Sequence, residues 1–267
     1  MSQKESAPAV RARLLEYLKE LHLPTIRRHC EEQARRAAKE TLSYEEYLLE
    51  LARLECENRR TGRIERLLRA SGIPLEKDLA SLDLKRLPAG VVRPYRTLLD
   101  GTFVGRRENV LLFGGTGSGK THSLCALGQE LIRRRGYKVQ MVVCSLLVQE
   151  LLAAKRDLRL PKVLKQWRRC EALIIDDLGY VEQSREEMEV LFTLLADRYE
   201  RGSVLLTSNL PFSQWEKIFK DAMTAAAAID RLVHHSVILE LNVPSYRLEQ
   251  AKQSKSAQGG SATAGAS

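Results

Sequence analysis

Three short stretches of this chain carry residue types that can do chemistry together. The first is Gly114-Gly115-Thr116-Gly117-Ser118-Gly119-Lys120-Thr121, which fits the phosphate-binding pattern G-x-x-x-x-G-K-[ST]. Its glycines let backbone N–H groups turn toward an anion and approach it closely. A helix that starts at Thr121 adds the positive end of its dipole at the same point. Lys120 would reach β- and γ-phosphates, and the Thr121 hydroxyl would sit on magnesium. The second stretch, Leu173-Ile174-Ile175-Asp176-Asp177, is an apolar run that delivers two acids. Asp176 suits the magnesium partner of Thr121, and Asp177 is placed to orient or deprotonate an attacking water. The plain alternative is that both acids cap the turn before Gly179. The third, Val204-Leu205-Leu206-Thr207-Ser208-Asn209, ends in polar residues. Asn209 could bond a γ-phosphate or the water, although strand-end turns also use Asn.

The elements that must position these residues alternate between strand and helix patterns. Strands are expected at Asn109–Phe113, Lys138–Cys144, Ala172–Asp176, Ser203–Thr207 and Val237–Leu241. Helices are expected at Thr121–Arg135, from Leu146 to about Lys155, and over Pro161–Arg169, Glu186–Arg201, Ser213–Phe219 and Met223–Leu232. Ser213 and Glu216 would form a capping box. This alternation implies an α/β domain: a parallel five-stranded sheet covered on both faces, with polar strand ends gathered at one edge. Asp230-Arg231 follows the helix that contains Ala225–Ala228. From spacing alone, Arg231 is equally a surface ion-pair residue or an arginine finger that reaches a neighbouring subunit.

Ahead of this domain lie three helices. Residues 9–22 present Val10, Leu14, Leu15, Leu18 and Leu21 on one face. A second helix begins at Pro24 and a third follows a capping box at Ser43–Glu46. The third is expected to break near Gly62. Ser71 to about Phe103, with several Gly and Pro, suggests a connector, and the domain boundary is expected near Gly72. The organisation is then a helical domain over residues 1–71, a nucleotide-binding domain over 72–250, and a disordered Gln/Ser/Ala/Gly tail over 251–267.

Composition narrows the setting. The five cysteines include no C-x-x-C pair, which argues against a zinc site or disulfide framework and for a reducing cytosol. The longest uncharged apolar run, Met141–Val148, is too short to cross a bilayer, and no signal peptide is legible at Met1–Ala9. A cytoplasmic protein with no membrane partner is expected. The net charge is +9, which favours an acidic partner. Between residues 131 and 170 there are eleven Lys and Arg against two acids, an excess as large as that of the whole chain. Arg133–Arg135 end a helix, where cations meet its dipole favourably. Lys155, Arg156, Arg159, Lys162 and Lys165 have no such local reason.

With these residues assembled, the sequence resembles the IstB-like ATPases, helper proteins of bacterial insertion sequences. It is similar, more distantly, to the DnaC helicase loaders; both groups belong to the AAA+ superfamily. The resemblance is carried by Leu42-Ser43-Tyr44-Glu45-Glu46-Tyr47, Gly119-Lys120-Thr121-His122, Ile174-Ile175-Asp176-Asp177-Leu178-Gly179, Thr207-Ser208-Asn209 and Asp230-Arg231-Leu232. It implies ATP and Mg2+ as cofactors, with Gly114 to His122 as the nucleotide-binding stretch. It also implies Asn209 as the polar sensor and Arg231 as the trans-acting finger. Ser245-Tyr246-Arg247 resembles a family segment in which Arg247 would touch the nucleotide. The catalytic acid of the wider superfamily is usually Glu, and Asp177 is one methylene shorter. Few residues separate Arg231 from the tail, so no C-terminal helical lid is expected and a neighbouring subunit would close the site. The implied function is an ATP-dependent, DNA-binding ATPase. It would assemble as a homo-oligomer on duplex DNA and assist a cognate transposase; the alternative is a DnaC-type helicase loader. The family also points the basic 155–165 stretch at the DNA path.

Overall fold

The computed structural model describes residues 6–179, 184–211, 214–215, 222–246 and 248–249. The backbone forms two compact units that divide between Arg66 and Leu67.

The first unit is built from α1 (Ala7–Glu20), α2 (Pro24–Glu40) and most of α3 (Tyr44–Ala70). Leu18, Ile26, Cys30 and Leu51 form its core, with Leu15, Leu23 and Tyr47 packed against them. The capping box is present: Glu46 N–H donates to Ser43 Oγ at 3.2 Å, and Ser43 N–H donates to Glu46 Oε2 at 2.8 Å. The expected break near Gly62 does not occur, and α3 runs unbroken for 27 residues. A single glycine costs a helix only about 1 kcal/mol, too little to end one with good formers on both sides. Glu55 is buried in this unit. Its Oε2 accepts from the Thr25 and Ile26 N–H groups at 2.8 and 3.1 Å, and its Oε1 accepts from Arg59 at 2.8 Å. Pro24 brings no N–H to the start of α2, so Glu55 serves the first two amides that need an acceptor.

The second unit is the α/β domain. Its five strands are β1 (Asn109–Phe113), β2 (Val139–Val143), β3 (Ala172–Leu178), β4 (Ser203–Ser208) and β5 (Ser236–Glu240). They lie in the order β2-β3-β4-β1-β5, and every pairing is parallel. β1 is buried along its whole length, as a central parallel strand must be. The helices are α4 (Ala89–Leu98), α5 (Thr102–Gly105), α6 (Lys120–Glu130), α7 (Cys144–Arg156), α8 (Leu160–Trp167), α9 (Arg185–Arg198) and α10 (Ala222–Val233).

Several elements differ from the sequence expectation. The helix after β1 ends as a π-helical turn over Leu131–Arg135, closed by Gly136 at φ +65°. α9 begins one residue earlier than expected because Ser184 and Glu187 form a capping box. The connector contains α4, with Pro94 inside it, since Val91, Tyr95 and Leu98 are spaced to bury one face. Pro94 removes the bond to the Gly90 carbonyl and crowds it, at a cost of about 3 kcal/mol, which the burial of three side chains at about 1.5–3 kcal/mol each outweighs. The expected capping box at Ser213 and most of its helix lie outside the described residues, as does the tail.

Candidate functional site

The parallel sheet sends the C-terminal ends of β1, β3 and β4 to one edge, with β4 between the other two. The sequence motifs therefore converge. Gly119, at φ +93°, opens α6, so Lys120 and Thr121 stand in the first helical turn. Gly114 passes so close to β5's exit that an added Cβ would lie 2.5 Å from the Leu241 carbonyl oxygen. Gly117, at φ +79°, would place one 2.2 Å from Ser245 Oγ. A side chain at Gly114 would meet backbone, and at Gly117 the left-handed φ itself favours glycine. Tyr246 N–H donates to the Gly117 carbonyl at 3.0 Å, which ties the chain after β5 to the loop.

Asp176 is 5% exposed, and its Oδ1 accepts two hydroxyl hydrogen bonds: from Thr121 Oγ1 at 2.9 Å and from Thr207 Oγ1 at 2.6 Å. Thr207 Oγ1 in turn accepts from the Asp177 N–H at 2.8 Å. The register of β3 against β4 shifts between Ile175 and Leu178, and Asp177 takes φ +62° there. This irregularity turns Asp177 outward, exposed, while Asp176 stays buried. Sequence reasoning paired the two acids with Asn209 but missed Thr207. Its signal was modest: a hydroxyl two residues before Asn209, at the end of the neighbouring strand.

The cradle fits a triphosphate and a cation. Lys120 Nζ donates to the carbonyls of Gly114 and Gly115 at 2.8 and 2.9 Å, so it lies across the mouth of the loop. Two buried polar atoms here, Ser118 Oγ and Asn209 Oδ1, have no hydrogen-bond partner among the described residues. Buried polar atoms are seldom left so. Among the described residues no three His, Cys, Asp or Glu side chains cluster to hold a metal. Thr121 and Asp176 alone suit magnesium, which takes few protein ligands and completes its shell with phosphate oxygens and water.

His122 and Arg231 have contacts away from the phosphate loop. The His122 imidazole faces the connector, with Nε2 3.1 Å from both Ser81 Oγ and the Asp78 carbonyl. Arg247 lies outside the described residues. Arg231 sits in the last turn of α10, before β5 enters the sheet, with its guanidinium 4.9 Å from the centre of the Phe192 ring. β5 runs parallel to β1, so Arg231 is at the sheet edge opposite the phosphate loop. A five-residue strand separates those edges by roughly 13 Å. Asn109 holds this corner: its Nδ2 donates to the Leu232 carbonyl at 3.0 Å, and its Oδ1 accepts from Val204 N–H at 2.8 Å.

The basic stretch is divided by the fold. Lys155, Arg156, Arg159, Lys162 and Lys165 are all exposed, at the end of α7 and along α8. Lys155 pairs with Glu189 of α9 at 2.9 Å, and Arg159 pairs with Asp157. Arg156, Lys162 and Lys165 make no ion pair among the described residues. Arg168, just beyond, forms a two-pronged pair with Asp197 of α9. The sequence offered few acids nearby; the tertiary fold supplies them from α9.

A parallel sheet of this order, with a phosphate loop after β1 and two acids at the C-terminal end of β3, defines an AAA+ P-loop nucleotide-binding fold. DnaA from Aquifex aeolicus, bound to AMPPCP, shares it with a TM-score of 0.52 at 16% identity, over 68% of this chain and 56% of that one. The family described as IstB-like ATP binding protein matches residues 16–254, and the chain belongs to that family. It is 35% identical to the ATP-binding protein of insertion sequence IS5376 from Geobacillus stearothermophilus, over 91% of this chain and 96% of that one. It is 37% identical to the ATP-binding protein of insertion sequence IS21 from Pseudomonas aeruginosa, over 90% and 89%. Among the described residues no helix is long and apolar enough to cross a membrane.

Proposed function

We propose that this chain is a Mg2+-dependent ATPase that assembles as a homo-oligomer on duplex DNA and assists the transposase of its insertion sequence. The observation that carries this reading is the Asp176 carboxylate, fixed by two threonine hydroxyls beside the phosphate loop. Residues 72–250 form the ATPase domain and follow in sequence a helical domain of residues 1–71. Gly114 to Thr121 bind the phosphates through backbone N–H groups, and Lys120 leaves its carbonyl partners to meet the β- and γ-oxygens. Thr121 and Asp176 would hold magnesium, which would neutralise charge on the phosphate oxygens. Asp177 orients the attacking water and accepts its proton, and Asn209 donates toward the γ-phosphate through its amide N–H groups. Arg231 lies too far from its own loop, which supports its acting on a neighbour's nucleotide.

The basic residues of α7 and α8 support binding to duplex DNA through its phosphates. Names of the relatives tie them to insertion sequences, which supports a transposase as the protein partner. The test is turnover of MgATP by the full chain with and without duplex DNA, beside Lys120→Ala. Turnover that needs Lys120 and rises with DNA is expected. No turnover under either condition would overturn the enzymatic reading, and failure to retain the cognate transposase on DNA would overturn the partner.

A further inference from the structure

At the sheet edge opposite the phosphate loop, the turns that lead into β1, β4 and β5 enclose a cavity of about 200 Å³. Arg106, Arg107, Arg198, Arg231 and His235 line it, with a single acid, Glu200. Four guanidinium groups around so small a space repel one another unless each is offset. Arg106 is offset by a two-pronged pair with Glu108, both bonds at 2.8 Å. Arg198 is 2% exposed and directs its donors to backbone carbonyls, among them Trp167 at 2.8 Å and Ser203 at 3.1 Å.

Arg107 is different. It is exposed, and where buried Arg198 has several carbonyl acceptors, the hydrogen bond of Arg107 among the described residues runs from Nη1 to one, the Glu200 carbonyl. The backbone that holds it there is costly. Arg107 stands at φ +60° and Glu200 at φ +56°, and neither is glycine. Such conformations persist where surrounding structure imposes them, and they gather at functional sites. Here Asn109, two residues on, anchors the turn through its bonds to Leu232 and Val204. The same bonds hold the end of α10 and hence Arg231. One anchor thus sets two arginines on one cavity.

We propose that Arg107 is a second cation acting in trans, and that the cavity it shares with Arg231 receives the terminal phosphate of a nucleotide held by a neighbouring copy of this chain. This rests on the reading above that nucleotide sites lie between subunits. The chain's own nucleotide cannot be the ligand, because the length of β1, roughly 13 Å, stands between the cavity and Gly114. The guanidinium fork suits phosphate oxygens and keeps its proton throughout, so Arg107 contributes charge and no proton transfer. Its present acceptor, a neutral carbonyl, is one that a phosphate would outcompete.

The test uses Arg107→Gly in the full chain. Glycine adopts φ +60° without strain, so the turn survives the loss of the side chain. Turnover of MgATP with duplex DNA is expected to fall about tenfold or more, with binding of a fluorescent ATP analogue unchanged. Mixing with Lys120→Ala should restore activity, because that variant offers an intact Arg107 to its neighbour. Arg107→Lys, which keeps the charge without the fork, gives a second reading if the glycine variant does not fold. It should lose less and also recover in mixtures. Parent-like turnover of Arg107→Gly would overturn the inference. So would a loss that mixing does not restore while Arg231→Ala is restored in the same assay. If Arg231→Ala also stays inactive in mixed oligomers shown to form, the between-subunit reading itself falls.

Discussion

Thr207 Oγ1 lies 2.6 Å from Asp176 Oδ1, and the same hydroxyl receives the Asp177 N–H at 2.8 Å. One side chain on β4 therefore fixes both acids at the end of β3. Thr207→Val keeps the shape and removes the hydroxyl. Turnover should fall roughly ten- to a hundredfold, the range for partners that orient site ligands. ATP binding should change little, and a fluorescent ATP analogue with a steady-state assay separates the two effects. Unaltered turnover would mean that the acids hold their places without Thr207.

Lys120 and Asp177 should divide binding from chemistry. Lys120→Ala is expected to lose ATP binding. Asp177→Asn retains size and the backbone N–H that Thr207 accepts, so it should bind ATP and fail to turn it over. Hydrolysis by Asp177→Asn at the parent rate would remove Asp177 from the mechanism.

On the basic surface, Lys162→Glu with Lys165→Glu should weaken binding to unrelated duplex sequences and flatten the salt slope by roughly one unit per lost contact. Glu189→Gln should act in the opposite direction, because it frees Lys155 from its 2.9 Å ion pair. DNA affinity measured against salt, at saturating ATP, checks both. Curves that coincide with the parent's would move the DNA path away from α8.

Glu55 gives the N-terminal unit a pH dependence. Burial raises its pKa, but the Arg59 bond and the Ile26 and Thr25 amides outweigh it and hold the carboxyl below the ordinary 4.5. A carboxylate depressed on folding contributes its full stability above the unfolded value. That contribution is lost as pH falls through the lower, folded value. The protection factors of the Thr25 and Ile26 amides, with the intrinsic pH dependence of exchange divided out, should therefore fall below about pH 4.5. Glu55→Gln should destabilise the unit by about 1–3 kcal/mol and remove that acid response.

Cysteine labelling tests the packing under the phosphate loop. Cys56 is exposed, whereas Cys125 lies buried on α6, and burial pushes its thiol up to about 12. A thiol reagent at pH 8 should modify Cys56 rapidly and reach Cys125 only after unfolding. Rapid labelling of Cys125 in the folded chain would show that α6 opens.

The sequence by itself determined whatever depends on neighbours along the chain. Gly114 to Thr121 could be read because a phosphate loop is made of contiguous backbone, and its glycines and Lys-Thr have few other reasons to occur together. β1, β3 and β4 could be read because buried parallel strands are continuous apolar runs, and the Ser43–Glu46 cap because it is closed by residues three apart. α4 could not, because Pro94 signals a break and only the burial of Val91, Tyr95 and Leu98 outweighs it. Thr207, Glu189 and Glu55 could not be assigned either. Each acts across at least 29 residues of chain, on Asp176, Lys155 and Ile26. Strand order alone lays β4 beside β3, and helix packing alone brings α9's acids onto α7 and α8. The same holds for Arg107 and Arg231, 124 positions apart in sequence. They share a cavity because β5 pairs with β1 in parallel, so the turns entering both strands meet at one edge of the sheet.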